Sequence, residues 1–246
     1  MRFLSLLAAY PTAPGSILEI GSFKGRSTII LAKASKFAGD SAVYAVDPLT
    51  SPSATDPDLG GALSAKADFE SNLSIHGVTD RVRFHRMTSQ ELAPLWSSKI
   101  RLLWIDGDHT YGGTKADFDL FHPWLEDGAI IALHDVLNIF DGPIRVFSED
   151  ILGSPHFVRV GLCGSIGWGQ YSRAPQKTFS IDSTRRLLQK RILKLRNMMN
   201  LRPQKGISHF RYKFLRWQIP HELISPKEWI AGLAQSSVEQ YRGSGA

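Results

Sequence analysis

Acidic and histidine side chains cluster in two short segments of the sequence, "IDGDHTY" and "LHD". The first segment contains Asp106, Asp108 and His109, and the second contains His134 and Asp135. Carboxylates and imidazoles are the side chains that bind divalent metal ions and that accept protons as general bases. These two segments therefore indicate a site for metal-assisted or acid–base chemistry.

The stretches around these segments alternate between strand-like and helix-like patterns. Apolar runs such as "SILEIG", "AVYAVDP", "RVRFHRM", "IRLLWIDGD" and "GAIIALHDV" are separated by helical stretches, which are "RSTIILAKASKFA", "SAKADFESNLSIHG", "SQELAPLW" and "TKADFDLFHPWL". This alternation predicts an α/β fold with a doubly wound, mostly parallel sheet of seven strands, in which "HFVRVGLCGS" and "GWGQYSRA" form a closing antiparallel pair. Because the carboxyl ends of parallel strands share one edge of the sheet, we expect one crevice there. The residues expected to border it are Gly21, Asp47, Thr88, Asp106 and Asp135.

A glycine turn in "SILEIGSFKGRST" directly follows the first predicted strand. Three residues separate Gly21 from Gly25, one fewer than a phosphate-binding P-loop requires. Phe23 stands where a dinucleotide-binding loop needs its second glycine. The second strand ends at Asp47, a position from which a carboxylate accepts hydrogen bonds from ribose hydroxyls. The pattern therefore favours a nucleoside ligand without phosphates.

The composition of the 246-residue chain is that of a globular protein with a substantial core, since 43% of its residues are hydrophobic. Its single cysteine, Cys163, excludes an intramolecular disulfide and a cysteine-based zinc cluster. The opening "MRFLSLLAAYP" predicts an amphipathic helix rather than a signal peptide, and "PLTSPSATDPDLGGALS" predicts a mobile loop. No apolar run approaches the ~20 residues of a membrane span, and we expect a cytoplasmic protein.

Charge divides the chain into two parts. Residues 176–216 contain 12 of the 29 Lys and Arg residues but one of the 23 Asp and Glu residues, Asp182. The rest of the chain is mildly acidic. We therefore predict one domain over residues 1–175 and a basic C-terminal extension over residues 176–246.

Several segments together resemble a known family. They are "ILEIGSFKGRST", "VYAVDP", "WIDGDHTYGGTKADFDLFHPWLEDGAIIALHD" and the "GP" at residues 142–143. They resemble the class I S-adenosylmethionine (SAM)-dependent methyltransferases, and especially a small bacterial branch with sugar and macrolide O-methyltransferases of the macrocin and rhamnosyl type and cephalosporin hydroxylase-like proteins. The resemblance extends over roughly residues 15–172. It implies a Rossmann-like enzyme that transfers a methyl group from SAM to a hydroxyl of a saccharide or a glycosylated small molecule.

The resemblance also implies which residues contact the cofactor. The glycine turn would surround the methionine end of SAM, Asp47 would bind the ribose and residues 87–89 would border the adenine. The expected cofactor-binding residues are Glu19, Gly21, Ser22, Phe23, Gly25, Ser27, Asp47, Met87, Ser89 and Asp106. For Glu19 the alternative is a carboxylate hydrogen-bonded to local groups.

Methyl transfer to an alcohol requires the oxygen nucleophile to be held against the methyl group and its proton to be removed. A divalent metal ion assists by lowering the pKa of the hydroxyl. We expect Asp106, His134 and Asp135 to bind Mg²⁺ or Mn²⁺. The histidine departs from the acidic or amide ligands of related metal-dependent enzymes and resembles the "HD" of the sugar-modifying branch. In the alternative, the site is metal-free and the two aspartates orient the substrate.

Two residues are alternatives for the general base, and two other functions compete with O-methylation. Histidine titrates near neutral pH, which favours His109, whereas Asp108 matches an acid with that role in the related metal-dependent enzymes.

A nucleic-acid methyltransferase would fit the sequence pI of about 9.5. The chain outside the basic stretch is acidic, however, and it has no Asp-Pro-Pro-Tyr type of motif. A non-catalytic SAM-binding accessory protein is the second alternative.

The basic extension contains two further patterns. "STRRLLQKRILKLRNMMNL" predicts a basic amphipathic helix with Leu188, Ile192, Leu195 and Met199 on its apolar stripe. "FRYKFLRW" interleaves aromatic and cationic residues. Three interpretations remain: a helix docked on its own domain or in an oligomer, a nucleic-acid surface, and a surface for an anionic membrane or glycolipid. Of the last two we favour the membrane, where residues 176–217 would bring the enzyme to a lipid-linked glycan acceptor.

Overall fold

A computed structural model describes residues 1–39, 41–50, 65–175, 183–199, 206–221 and 224–231. The loop predicted in "PLTSPSATDPDLGGALS" falls largely on residues 51–64, which lie outside the described residues. None of the described helices combines the length and the apolar composition that crossing a membrane requires.

Seven strands in the described part of the chain form a single sheet. They are β1 (Ser16–Ile20), β2 (Val43–Val46), β3 (Val82–His85), β4 (Ile100–Ile105), β5 (Leu125–Leu133), β6 (Phe157–Cys163) and β7 (Ile166–Tyr171). Their spatial order is β3-β2-β1-β4-β5-β7-β6, and β7 runs antiparallel to both of its neighbours while the other pairs are parallel. The predicted doubly wound sheet and its closing hairpin are confirmed.

Helices connect the strands and extend the fold beyond the sheet. They are α1 (Arg2–Ala9), α2 (Arg26–Ser35), α3 (Lys66–Ile75), α4 (Ser89–Leu92), α5 (Tyr111–Phe121), α6 (Asp141–Val146), α7 (Ser183–Met199) and α8 (Ile207–Gln218). A π-helical turn, Phe147–Ile151, follows α6. The sequence patterns predicted α1 to α5 and α7, but they did not predict α6 or α8.

The apolar core lies on both faces of the sheet. On β4, Leu103 and Ile105 belong to one cluster of buried side chains, and the alternate residues Leu102 and Trp104 belong to another. Successive side chains of a strand point to opposite faces, so β4 is covered on both sides. This burial explains why the central strands read as nearly continuous apolar runs.

The basic extension packs against the body of the protein. The α7 side chains Leu188, Ile192 and Leu195 are buried in the same cluster as the sheet, which confirms the predicted amphipathic helix and shows that its stripe faces the domain. Met198 is also buried, and the side chain of the predicted Met199 lies outside the described residues. One turn earlier, the buried Arg185 donates hydrogen bonds to backbone carbonyls of the segment that precedes β6.

Farther along, Trp229 is buried against two residues of the body. Its ring centroid lies 5.8 Å from that of Phe3 on α1 and 5.2 Å from that of Trp168 on β7. The described parts of the extension therefore share the apolar core of the body, although the charge of the two regions differs.

Candidate active site

The carboxyl ends of the central strands meet at one edge of the sheet. The amide of Asp106 donates to the carbonyl of Ile20 at 2.8 Å, and the amide of His134 donates to the carbonyl of Ile105 at 3.0 Å. These bonds tie the ends of β1, β4 and β5 together. Strand order reverses between β1 and β4, and ligands of open α/β sheets bind outside such a reversal.

The glycine turn after β1 passes very close to the end of β4. Gly21 has a φ of +88°, and a Cβ at this position would lie 2.2 Å from the carbonyl oxygen of Asp106. Neither the dihedral angle nor the space admits a side chain. Glycine is therefore needed at position 21 so that the ends of β1 and β4 can come together. This requirement holds whether or not a ligand also approaches the backbone here.

Asp47 organises the glycine turn through its carboxylate. Oδ2 accepts hydrogen bonds from the amides of Ser22 and Phe23 at 2.9 and 2.8 Å. Oδ1 accepts from the amide of Leu49 at 2.7 Å. A carboxylate has about four acceptor positions, so these bonds leave limited capacity for ribose hydroxyls. The structure gives Asp47 a positioning role in addition to the predicted ribose contact.

Glu19 lies beneath the turn and is fully buried. Its Oε2 accepts a hydrogen bond from the Thr28 hydroxyl at 2.5 Å, and its Oε1 has no partner among the described residues. Burial raises the pKa of this carboxyl to about 7, against the effect of hydrogen bonds from the neighbouring hydroxyls. Because Glu19 does not line the adjacent cleft, its predicted contact with the cofactor stays a prediction.

A cleft of about 610 Å³ opens over the glycine turn, a volume within the usual range of small-molecule sites. It brings together residues from the ends of β1, β2 and β4 and from the starts of α4 and α5. The predicted cofactor residues that line it are Gly21, Ser22, Phe23, Ser27, Asp47, Ser89 and Asp106. Gly25 borders α3 instead, and Met87 packs against the main core.

Asp117 is a residue of the cleft that the sequence analysis missed. It lies on the inner face of α5 and accepts a short hydrogen bond from the Ser89 hydroxyl. Burial raises the pKa of its carboxyl to about 7. The available signal was its spacing, because Asp117 follows Thr114 by three residues and precedes Phe121 by four on a stripe that is otherwise buried.

Beside the cleft, the predicted metal ligands form a compact cluster. Nδ1 of His134 lies 3.1 Å from Oδ1 of Asp106 and 3.1 Å from Oδ1 of Asp135. One ligand atom from each of the three residues lies within 4.8 Å of the others. Burial lowers the affinity of His134 for a proton, but the two carboxylates outweigh it and raise the pKa of the imidazole to about 10. The two carboxylates therefore favour positive charge at this position.

Asp135 has an unusual backbone conformation. Its φ of +56° is in the left-handed region, which non-glycine residues adopt at a cost of roughly 1–2 kcal/mol. Burial opposes ionisation, but contacts with His134 and the proximity of His109 lower the pKa of its carboxyl. The left-handed conformation turns the chain at the end of β5 and directs the carboxylate toward the cluster. Strained backbone of this kind is common at functional sites.

The two candidates for the general base both line the cleft, but they have different surroundings. Nε2 of His109 lies 3.6 Å from a carboxylate oxygen of Asp106 and 3.6 Å from one of Asp135, and it has no hydrogen-bond partner in the described structure. The His109 ring stacks on Phe140 with centroids 4.4 Å apart, a contact that sequence patterns did not reveal. By contrast, Asp108 accepts hydrogen bonds from the amide and hydroxyl of Thr110, the N-cap of α5.

The sequence of this domain matches a known protein family. Residues 18–136, which extend from β1 to the turn after β5, match a family described as a methyltransferase domain. Residues 18–136 are a methyltransferase domain. The match includes the glycine turn, Asp47 and the whole cluster at the ends of β4 and β5. It ends before the closing hairpin and the basic extension.

Solved structures of methyltransferases share the fold of this domain. The O-methyltransferase NovP superposes with a TM-score of 0.55 at 15% identity over 70% of this chain and 80% of its own. The calicheamicin methyltransferase CalS11 superposes with a TM-score of 0.51 at 19% identity, over 69% of this chain and 76% of its own. The O-methyltransferase TomG from Streptomyces achromogenes was solved in complex with SAM. It superposes with a TM-score of 0.51 at 18% identity, over 70% of this chain and 78% of its own. With the domain match, this shared fold confirms the predicted family of class I SAM-dependent methyltransferases.

Proposed function

We propose that this methyltransferase transfers the methyl group of SAM to a hydroxyl of a saccharide or a glycosylated small molecule, with help from a divalent metal ion. The observation that carries the proposal is the cluster of Asp106, His134 and Asp135 beside the cofactor cleft. Asp106 belongs to both features, because it lines the cleft and contributes an oxygen to the cluster. A methyl donor in the cleft and a hydroxyl at the cluster would thus be neighbours.

The cofactor side of the proposal rests on the glycine turn and α4. Asp47 holds the amides of Ser22 and Phe23, which shapes the turn for the methionine end of SAM. Ser89, at the start of α4, and Asp117 line the opposite part of the cleft, where adenine would lie. SAM supplies an electrophilic methyl group, and the residues of the chain hold it in line with the acceptor.

The cluster has the composition of a site for Mg²⁺ or Mn²⁺. Two carboxylates and one imidazole offer a mixed oxygen and nitrogen ligand set. Nε2 of His109 is buried and faces Asp106 and Asp135 at 3.6 Å, so it lies beside the ligand set without belonging to it. A bound ion would lower the pKa of the acceptor hydroxyl and fix its orientation.

His109 is the residue that we assign to accept the proton of the hydroxyl. Phe140 holds the imidazole plane by stacking, and the two carboxylates would stabilise the charge that the ring acquires. Asp108 has a structural role in this assignment, because both of its oxygens serve the N-terminus of α5.

The acceptor class rests on the "HD" motif at residues 134–135 and on the relatives. NovP and TomG are O-methyltransferases, TomG takes part in tomaymycin synthesis, and CalS11 is a calicheamicin methyltransferase. A hydroxyl of high pKa, such as that of a sugar, benefits most from metal assistance, which agrees with the composition of the cluster.

A transfer assay with labelled SAM tests the proposal. The acceptors would be nucleotide-activated sugars, glycosylated natural products, simple phenols and nucleic acid, each with Mn²⁺, with Mg²⁺ and with excess chelator. We expect metal-dependent labelling of sugar hydroxyls, and its loss in Asp106→Asn but not in the matched control Asp119→Asn on the exposed side of α5. Full activity in chelator would contradict the metal, and labelling of nucleic acid or phenols alone would contradict the acceptor.

A further inference from the structure

Helix α8 carries an exposed apolar face that no other described residue covers. Ile207, Phe210, Phe214 and Trp217 are 82%, 74%, 56% and 74% exposed. Their spacing of three, four and three residues places all four on one side of the helix. Single exposed apolar side chains are common on protein surfaces, but four of them side by side mark an interaction surface.

The opposite side of α8 is fixed to the body. Tyr212 is buried, and its hydroxyl donates to the carbonyl of Leu137 at 2.5 Å. A guanidinium nitrogen of Arg216 lies 3.5 Å from the side-chain oxygen of Asn138. The exposed face is therefore presented by an anchored helix.

Cationic side chains of α7 lie next to this face. Lys190, Arg191 and Lys194 line an open groove together with Leu187, and Trp217 of α8 forms its other side. No salt bridge joins any of these three cations to an acid within the described ranges. Arg211 and Lys213 add two more exposed cations on α8 itself. The surface thus combines an apolar face with an excess of positive charge.

We propose that the apolar face of α8 and the cationic groove of α7 bind the surface of an anionic phospholipid membrane. Aromatic side chains enter the interface while Lys and Arg attract anionic headgroups, and the two effects add. A second copy of the chain would bring like charges together on this surface. Nucleic acid would neutralise the cations but would leave the aliphatic Ile207 and its neighbours without an apolar partner.

The buried side of α8 contacts the loop that follows the strand-end cluster. The loop that Tyr212 and Arg216 hold begins two residues after Asp135, and its Ile139 is also exposed. A membrane docked on α8 would therefore lie near the loop that follows the strand-end cluster. The further consequence, a membrane-borne acceptor, rests on the proposed function, whereas docking itself does not.

Vesicle co-sedimentation of the full chain at physiological salt tests the docking without an activity assay. The vesicles would be phosphatidylcholine alone or phosphatidylcholine mixed with phosphatidylglycerol. We expect binding to the anionic vesicles only. Phe210→Ser/Trp217→Ser and Lys190→Gln/Lys194→Gln should each weaken it at least about tenfold.

Two matched controls guard against general effects of the substitutions. Phe37→Ser removes a phenylalanine that is 83% exposed on another part of the molecule, and Lys33→Gln/Lys36→Gln removes two exposed lysines there. Both should bind as the wild type does, and circular dichroism should show all four variants folded. Equal binding to neutral vesicles, no binding to either vesicle type, or equal loss in the controls would overturn the proposal. So would dimerisation or duplex binding that the α8 variant abolishes while vesicle binding persists.

Discussion

Nδ1 of His134 lies 3.1 Å from Oδ1 of Asp106, although the two residues end different strands of the sheet. The contact exists because β4 and β5 are parallel neighbours whose carboxyl ends are in register, with Ile105 opposite Leu133. It places an imidazole between two carboxylates and makes the three residues one cluster, which is the observation behind the proposed metal site.

Substitution of His134 should therefore weaken metal binding while sparing the cofactor. We expect His134→Gln to bind Mn²⁺ at least about tenfold more weakly than the wild type, because one ligand and its fixed geometry are lost. Calorimetric titration with Mn²⁺ measures this, and titration with SAM is the control. Unchanged Mn²⁺ affinity would exclude His134 as a ligand.

Exchange of the two candidate bases should give different kinetic results. His109→Gln should lower kcat by about 100-fold or more, since the group that accepts the proton is lost. Asp108→Asn should lower kcat much less. It should lower the free energy of unfolding by about 1 kcal/mol, because the acceptor of the two Thr110 hydrogen bonds at the start of α5 is weakened. Single-turnover assays and thermal unfolding separate the effects. A larger loss of kcat in Asp108→Asn would reverse the assignment.

Gly21→Ala should be far more damaging than Gly39→Ala. Both glycines have positive φ, but a Cβ at Gly21 meets the Asp106 carbonyl whereas a Cβ at Gly39 meets nothing within 4 Å. We expect Gly39→Ala to cost about 1 kcal/mol of unfolding free energy from the dihedral alone, and Gly21→Ala to cost more than about 3 kcal/mol. Urea unfolding measures both. Equal costs would show that the strand ends can separate freely.

Removal of the Asp47 carboxylate should weaken SAM binding. In Asp47→Ala the amides of Ser22, Phe23 and Leu49 lose their acceptor, and any ribose contact is lost as well. We expect a loss of about 1–3 kcal/mol in binding free energy by calorimetry. Asp119→Ala, which changes an exposed acid of α5 that does not line the cleft, serves as control. Wild-type affinity in Asp47→Ala would remove this residue from the site.

The buried carboxyl of Asp117 should make stability depend on pH. Its pKa is about 7 in the folded state and 3.8 when unperturbed, so the native state binds more protons between these values. The free energy of unfolding should accordingly fall as pH rises from about 4 to about 7. Asp117→Asn should reduce this slope and be more stable than the wild type at pH 8, by roughly 1–3 kcal/mol. Glu19, with a similar pKa, should account for a remaining slope. An unchanged slope in Asp117→Asn would show that its carboxyl is already ionised at low pH.

Much of the fold and site could be predicted because the signals are local. Apolar runs and glycine turns report on neighbouring residues, and the rule that parallel strands end at one edge brought Asp106, His134 and Asp135 together before any coordinates. Helix α8 escaped prediction because its aromatic residues follow the helical period but face the solvent, where no buried stripe distinguishes them.

The sequence by itself determined the alternation of strands and helices, the methyltransferase family and the identity of the acids and histidines at the strand ends. Only the tertiary structure decided that Gly21 is required by the backbone of Asp106 and that Asp117 faces the cleft. It also decided that His109 faces Asp106 and Asp135 while Asp108 accepts hydrogen bonds from Thr110, the N-cap of α5. The physical reason is the distance along the sequence over which the interactions act. Patterns along the chain record local conformation and burial, whereas these roles depend on contacts between elements that are distant in sequence and meet only when the sheet has formed.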